Sequence, residues 1–457
     1  MTKQVRGKGI LQRVKHIRNW HHSVYIVLTA LCFSSLYSAT TDMLGADPRS
    51  MILGQSNRFS DPGVGAAQGN PAFIARDKKL EVSLGLSYAR PNLHNADRTN
   101  VAQTTSGIKS DPYQADKAAD LKWTSFSLVI PLSSWLGIGV SGSLPIGHLA
   151  RMHAFTGHES TYLHYNERQS RPEVFTAISS NLPWGFSMGA GIFHSFLAEG
   201  QMQLAASDTD ADARMLMELK PSYIPYAGLG YTKEIDQQKL FKMGAFYRAA
   251  SKEKSEIVID TSFNIAGVGT FPLSAGSEMI AYYDPETFAF GASYKSSTFA
   301  IHNSVIRSMW SHYKAPVIGL LGKDLSDLTG GKIVQDSITL DDTWSFQLGG
   351  EFFNVFNLFG GSVHMASGLE FHESALPDKP TSLAVVDSER YVVNLGSTLR
   401  FESLGSAIEH PVDFIFGFKY SQYKKENLKA YNSGAQTQSG KIGGHYFAAL
   451  MGVKLEL

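Results

Sequence analysis

Thiols are almost absent from this chain: of 457 residues one is cysteine, Cys32, and it falls in the N-terminal stretch. A single thiol builds no disulfide framework, and once that stretch is removed no cysteine nucleophile remains. Charge is sparse as well. Lys, Arg, Asp and Glu make up 18% of residues and balance to a formal net charge of +0, which argues against nucleic acid as a partner. Past the N-terminus there is no run of about 18 apolar residues, so a bundle of membrane-spanning helices does not fit.

What the chain does have is glycine, 42 residues of it, 11% aromatics, and a repeated alternation. Fourteen short stretches alternate apolar and polar residues at period two. In the last, Phe447, Ala449, Met451, Val453, Leu455 and Leu457 share one face, and Tyr446, Ala448, Gly452, Lys454 and Glu456 share the other. Successive side chains of a strand point to opposite faces, and about ten tilted residues span a bilayer's hydrocarbon core. The links between stretches alternate too. One set is short (131–135, 181–185, 234–239, 296–298, 353–357, 402–411). The other is long (89–120, 148–170, 197–219, 251–285, 311–342, 369–389, 424–441). A soluble β-sandwich also has alternating strands but no such alternation of links. The expected fold is therefore all-β: a 14-stranded antiparallel transmembrane β-barrel over residues 79–457, with short turns on the periplasmic side and long loops outside.

Two segments precede the wall. Residues 1–39 read as a cleavable signal peptide: Lys3, Arg6, Lys8, Arg13, Lys15 and Arg18 form a basic region, 24–36 an apolar one, and Ala39 a cleavage point. The alternative is an uncleaved anchor helix. Residues 40–78 do not alternate and are rich in Gly, Asp, Ser and Asn. A barrel of fourteen strands is too wide for its own side chains to fill, and irregular backbone survives at membrane depth only inside protein or water. These residues are expected to form an N-terminal plug, or hatch, in the lumen, built around Asn70, Pro71, Ala72 and Phe73; a disordered periplasmic tail is the alternative.

Asn70-Pro71-Ala72 ahead of the first strand resembles the plug motif of the FadL/TodX-type outer-membrane transporters of long-chain fatty acids and other hydrophobic compounds. Leu136-Gly137-Ile138-Gly139-Val140 with Pro145-Ile146-Gly147 is similar to that family's third strand. Tyr247-Arg248-Ala249 resembles the end of its seventh strand. The run 343–351 is similar to its tenth, and 374–378 to the loop after its eleventh. Leu457 departs from the aromatic residue with which the family usually ends. The resemblance implies passive uptake across a Gram-negative outer membrane, with outer-membrane lipid and the barrel-assembly machinery as partners. It implies a ligand-collecting groove formed by two external loops. These carry exposed apolar residues, a common mark of a ligand surface: Met202, Leu204, Met215, Leu216 and Met217 in one, and Phe263, Phe271 and Leu273 in the other. It also implies lateral release near a kinked third strand, which Gly142, Pro145 and Gly147 would permit.

Other chemistry is thin. His148, His153, His158 and His164 crowd one external loop with Glu159 and Glu167, but their spacing fits no zinc motif, and no metal or cofactor is expected. No phosphate loop or nucleophile elbow occurs, and the chain is not expected to be an enzyme. Ser–His pairs inside the wall, His302 with Ser304 and His364 with Ser362, are the only hydrolytic candidates. The expected function is transport of fatty acids or similar hydrophobes. Uptake of aromatic hydrocarbons, a docking barrel of a secretion apparatus, and an outer-membrane hydrolase are the alternatives.

Overall fold

Alternation specifies a strand strongly where its two faces meet different surroundings. A computed structural model describes residues 45, 47–76, 79–94, 98–100, 118, 120–147, 161–165, 172–206, 211–265, 269–313, 319–321, 338–383, 385–405, 408–432 and 435–457. For 98–100, 161, 195–206, 211–220, 252–282, 319–321, 432, 435 and 437 it describes backbone alone. The expected signal peptide, residues 1–39, lies outside the described residues.

Fourteen strands form the wall. They are β1 (Glu81–Leu93), β2 (Leu121–Pro131), β3 (Leu136–Pro145), β4 (Glu173–Asn181), β5 (Phe186–Ala206), β6 (Ala211–Asp236) and β7 (Lys239–Arg248). They continue with β8 (Glu286–Lys295), β9 (Phe299–Met309), β10 (Thr343–Leu358), β11 (Gly361–His372), β12 (Arg390–Phe401), β13 (Val412–Asn432) and β14 (Ala435–Glu456). Each pairs antiparallel with the next. β14 returns to β1 with Glu456 opposite Glu81, and the sheet is closed. Closure pairs backbone groups that an open sheet would leave bare at its edges, which a bilayer does not tolerate.

The two faces divide as the alternation requires. On β13, Phe416 and Phe418 point outward, the latter 69% exposed, while Asp413, Gly417 and Lys419 point inward, Lys419 only 1% exposed. Trp135, Trp184 and Phe359 stand exposed at the short turns, where a membrane interface accepts aromatic rings. The bore is not uniformly hydrophilic, however. Facing β2 and β4–β8 is an apolar cluster that includes Val129, Phe175, Phe193, Tyr226 and Phe246.

Three of the long links are not loops; in one of them, 424–441, β13 and β14 stay paired out to Asn432 opposite Ala435. β5 and β6 stay paired out to Ala206 opposite Ala211. Strands Ser251–Ile265 and Gly269–Asp284 form a second hairpin, and 257–263 runs parallel to 200–206 of β5. β5 has 21 residues and β6 has 26, twice what a bilayer needs. Membrane thickness therefore could not mark their ends, and irregular apolar runs such as Met215-Leu216-Met217 hid their continuation.

Residues 47–76 lie against the inward faces of the wall. Asp47 caps a short helix, α1 (Pro48–Ile52), by accepting from the N–H groups of Arg49 and Ser50 at 2.9 and 3.2 Å. Two 3₁₀ turns follow, Gly63–Ala67 and Pro71–Arg76. Phe59, Val64, Ala66, Ala67 and Ile74 complete the apolar cluster on the wall. The wall receives this segment on glycines. A Cβ on Gly139 would meet Ile74 and Ala67, one on Gly291 would meet Phe59 and Ser60, and one on Gly452 would strike Pro48. Glycine here serves close backbone approach.

Candidate functional site

The motif residues sit at the middle of this seat. Asn70 is fully buried, and its Nδ2 lies within hydrogen-bond distance of the carbonyls of Phe59 (3.0 Å), Leu229 on β6 (3.0 Å) and Ala245 on β7 (3.2 Å). Its Oδ1 accepts from Ala72 N–H at 3.1 Å, so one amide closes the turn and fastens it to two wall strands. Pro71 abuts the position of Gly189 on β5, and the buried Phe73 ring lies under the Lys242 ammonium at 5.8 Å.

A charged knot, which the sequence did not single out, holds the other end. Arg49 reaches from α1 to Glu351 on β10, donating from Nε and Nη2 at 2.9 and 2.7 Å. The same Nη2 meets Asp61 Oδ2 at 2.9 Å, and Nη1 donates to the Asp61 carbonyl at 2.9 Å. Lys242 of β7 pairs with the other Asp61 oxygen, and His302 Nε2 of β9 lies 3.3 Å from Glu351. Asp61 and Glu351 with Arg49 and Lys242 thus tie the inner segment to β7 and β10, and His302 of β9 stands beside Glu351. A bidentate arginine–carboxylate contact is the strong form of such a bond. In sequence Arg49 and Asp61 are two among several Arg and Asp residues of 40–78, and nothing in the pattern pairs them with Glu351 or Lys242.

On the external side of this seat lies a cavity of about 90 Å³. Its floor is Gln55, Arg58 and Phe59; its sides include Phe246, Arg248, Ile306, Trp310, Gln347 and Arg390. Arg248 lies 5.9 Å from the ring of Phe193 and Arg390 5.7 Å from that of Tyr423, so cations and aromatic rings share the space. Beyond it, at the external ends of the strands, His164, Tyr283, Trp310 and Tyr313 pack edge to face or tilted. Asp387 is buried there. It accepts from Ala375 N–H at 2.9 Å and lies 3.8 Å from His164. Burial pushes its carboxyl up to about 7, against the opposing pull of that hydrogen bond and of Arg390.

The backbones of the expected groove residues are placed, with Met202 opposite Met215 and Phe263 opposite Phe271; their side chains lie outside the described residues, as do those of Leu204, Leu216, Met217 and Leu273. Gly142 pairs with Phe126 and Val174 in an unshifted ladder, and a Cβ there would press on the Phe126 ring. Pairing of β3 with β4 ends at Ser143, two residues before Pro145, and Gly147 beyond it has φ of +100°. No register shift interrupts the described pairings of β3 on either side.

His148, His153, His158, Glu159 and Glu167 lie outside the described residues, and no metal-ligating cluster occurs among the described ones. The expected pairs separate. Ser304 donates to the carbonyl of Ser56 at 2.7 Å and so turns away from His302, whereas Ser362 stays 3.3 Å from His364.

An antiparallel barrel belted by apolar residues, with a cavity over chain packed in its bore, defines a membrane conduit. Residues 52–454 match the family described as Outer membrane protein transport protein (OMPP1/FadL/TodX), and the chain belongs to it. No curated protein matches the chain. Among solved structures it is similar to a Pseudomonas aeruginosa FadL homologue, at 15% identity and a TM-score of 0.56 over 86% of this chain and 94% of that one. It is also similar to the P. putida toluene transporter TodX, at 11% identity and a TM-score of 0.50 over 91% and 99%. The CymD monoaromatic hydrocarbon channel aligns at 14% identity and 0.50 over 91% and 98%. At these identities the likeness is one of fold. The family and the fold are those of outer-membrane transport channels.

Proposed function

We propose that this barrel carries small hydrophobic molecules, fatty acids or similar compounds, from the cell exterior through the outer membrane, with residues 40–78 as its plug. The observation that carries the reading is the packed segment 47–76 beneath a cavity of mixed aromatic and cationic lining, inside a wall whose apolar face is outward. In support stand the family's description as a transport protein and the titles of similar structures, a toluene transporter and a monoaromatic hydrocarbon channel. The ligand enters by the two external hairpins, where Met202, Leu204, Met215, Leu216, Met217, Phe263, Phe271 and Leu273 collect it. Apolar burial contributes about 0.8 kcal/mol per CH₂, so capture needs few polar contacts. A space of about 90 Å³ is smaller than the ~150 Å³ cavity that accepts benzene, so passage requires the plug to shift. Release follows beside Gly142, Pro145 and Gly147, where β3 loses its pairing with β4 and an apolar solute meets lipid instead of water.

The test is purification in mild detergent, mass spectrometry of co-purified hydrophobes, and uptake of labelled oleate and toluene. Stoichiometric ligand that is lost on Met215→Asp or Phe271→Asp is the expected result. An empty barrel that takes up neither compound would replace transport by a scaffolding role.

A further inference from the structure

The external end of the wall holds a second piece of chemistry. Ser345 is the third residue of β10, His372 the last of β11 and Arg390 the first of β12. The register sets Ser345 opposite His372 and His372 opposite Arg390, so all three share one inward-facing row. Ser345 Oγ lies 2.9 Å from His372 Nδ1. His372 Nε2 lies 2.9 Å from Glu370 Oε2, two residues down the same face. Glu370 is itself fixed, its other oxygen accepting from Lys419 Nζ at 2.7 Å and Asn394 Nδ2 at 2.9 Å. Ser345 and His372 both line the cavity, with Gln347 and Arg390 beside them.

We propose that Ser345, His372 and Glu370 form a nucleophile–base–acid triad that hydrolyses short-chain acyl esters of hydrophobic alcohols in the cavity above the plug. A carboxylate accepting from Nε2–H selects the tautomer whose Nδ1 lone pair takes the Ser345 proton, and it stabilises the imidazolium that forms. The ring nitrogens are exchanged relative to serine proteases, but the sequence of donors and acceptors is the same. Ser345 Oγ attacks the ester carbonyl carbon as its proton passes to Nδ1. The C–O bond to the alcohol then breaks, and the alcohol leaves with that proton. Water adds to the acyl-serine, giving a proton to Nδ1; Ser345 Oγ recovers the proton and the carboxylic acid departs. Arg390 is 4% exposed and its Nε has no hydrogen-bond partner among the described residues; with the Gln347 amide it is the donor available to the developing oxyanion. The ~90 Å³ beside Ser345 has room for an acyl group of a few carbons only, and the alcohol projects from the cavity's open side.

The arrangement is not a chance of abundant serines. Of the inward-facing Ser–His pairs described, Ser304 is turned away from His302, and Ser362–His364, at 3.3 Å, shows no carboxylate hydrogen-bonded to its ring. Only at 345 does the relay continue through the histidine to an acid.

The experiment uses the full-length barrel in detergent, its fold checked by heat-modifiable electrophoretic mobility. A fluorophosphonate probe is expected to label the peptide containing Ser345 in the wild type. p-Nitrophenyl butyrate should show a burst of one equivalent and turn over faster than the palmitate ester. Ser345→Ala should lower the rate about a hundredfold or more, the scale on which a positioned base acts, while Ser362→Ala leaves it unchanged. Glu370→Gln, at a positioning residue, should shift the pH profile of hydrolysis. Absence of label at Ser345, or hydrolysis by Ser345→Ala at the wild-type rate, overturns the proposal and leaves the three residues as a structural network. Uptake of toluene or oleate, which are not esters, should survive in Ser345→Ala, so failure of the triad and failure of transport are read separately.

Discussion

The seat of residues 47–76 and the cavity above it are made by the same strands in opposite ways. β10 offers Gly349 to Leu53 and Ser56, then Gln347 and Ser345 to the cavity. β11 offers Gly368 to Leu53 and Gly54, then Glu370 and His372. β7 offers Gly244 to Phe59 and Asn70, then Phe246 and Arg248. The change happens within one inward-facing step, about 7 Å along a strand. Where the wall is bare, backbone meets backbone and residues 47–76 are held by fit and by a few strong polar links. Where it carries large polar and aromatic side chains, it keeps the chain away and leaves room for a ligand. A barrel thus divides its bore lengthwise into a lock and a chamber by exchanging glycine for bulk at successive positions.

The comparison breaks most sharply at the knot. Arg49→Met leaves Asp61 and Glu351 facing each other with less compensation, and stripping one partner from a buried ion pair costs about 3–5 kcal/mol. Arg49 keeps 23% of its side chain exposed, so the lower end of that range is expected. In planar bilayers the variant should conduct ions far more often than the wild type; conductance that stays closed would show that the glycine seat alone holds the plug. Gly244→Val attacks the seat instead, forcing a side chain against the Phe59 carbonyl and Asn70. Overpacking of this kind costs about 1–3 kcal/mol, and limited proteolysis should reach residues 47–76 while the wall keeps its heat-modifiable mobility.

The smallest effect sharpens the chamber side. Asp387 has a carboxyl pushed up to about 7 from the ordinary 3.8 by burial. The folded form therefore binds more protons than the unfolded one between those values. Its stabilising contribution is complete below pH 3.8 and is lost as pH rises toward 7. Hydrogen exchange at 374–388, corrected for intrinsic rates, should show less protection at pH 8 than at pH 5, and Asp387→Asn should remove the difference. Equal protection at both pH values in the wild type would place the ionised carboxylate in that pocket without penalty.

Much of the wall was legible in the residues because a strand between two unlike surroundings has to alternate. Phe416 and Phe418 against Gly417 and Lys419 need no tertiary information to be assigned to faces. Asn70-Pro71-Ala72 was legible for a related reason: a stiff turn in a stretch that does not alternate has no place in the wall. The external hairpins were misread as loops because their pairing partners, not their own pattern, hold 257–263 beside 200–206. Sharing a strand face says nothing about where a serine hydroxyl turns: Ser304 goes to the Ser56 carbonyl, while Ser362 stays near His364.

By itself, then, the sequence determined a closed barrel of fourteen strands, which face of each strand is apolar, and that the residues ahead of the wall are not wall. Those properties are local, set by a period of two and by the length a bilayer demands. Only the tertiary structure decided that Arg49 meets Glu351 and that Ser345 meets His372. Such meetings depend on register between strands. On β10 and β11 the register shifts between Phe352 and Phe356, near Asn354 with its φ of +50°. A slip of one residue at that irregularity would point Ser345 and His372 to opposite faces.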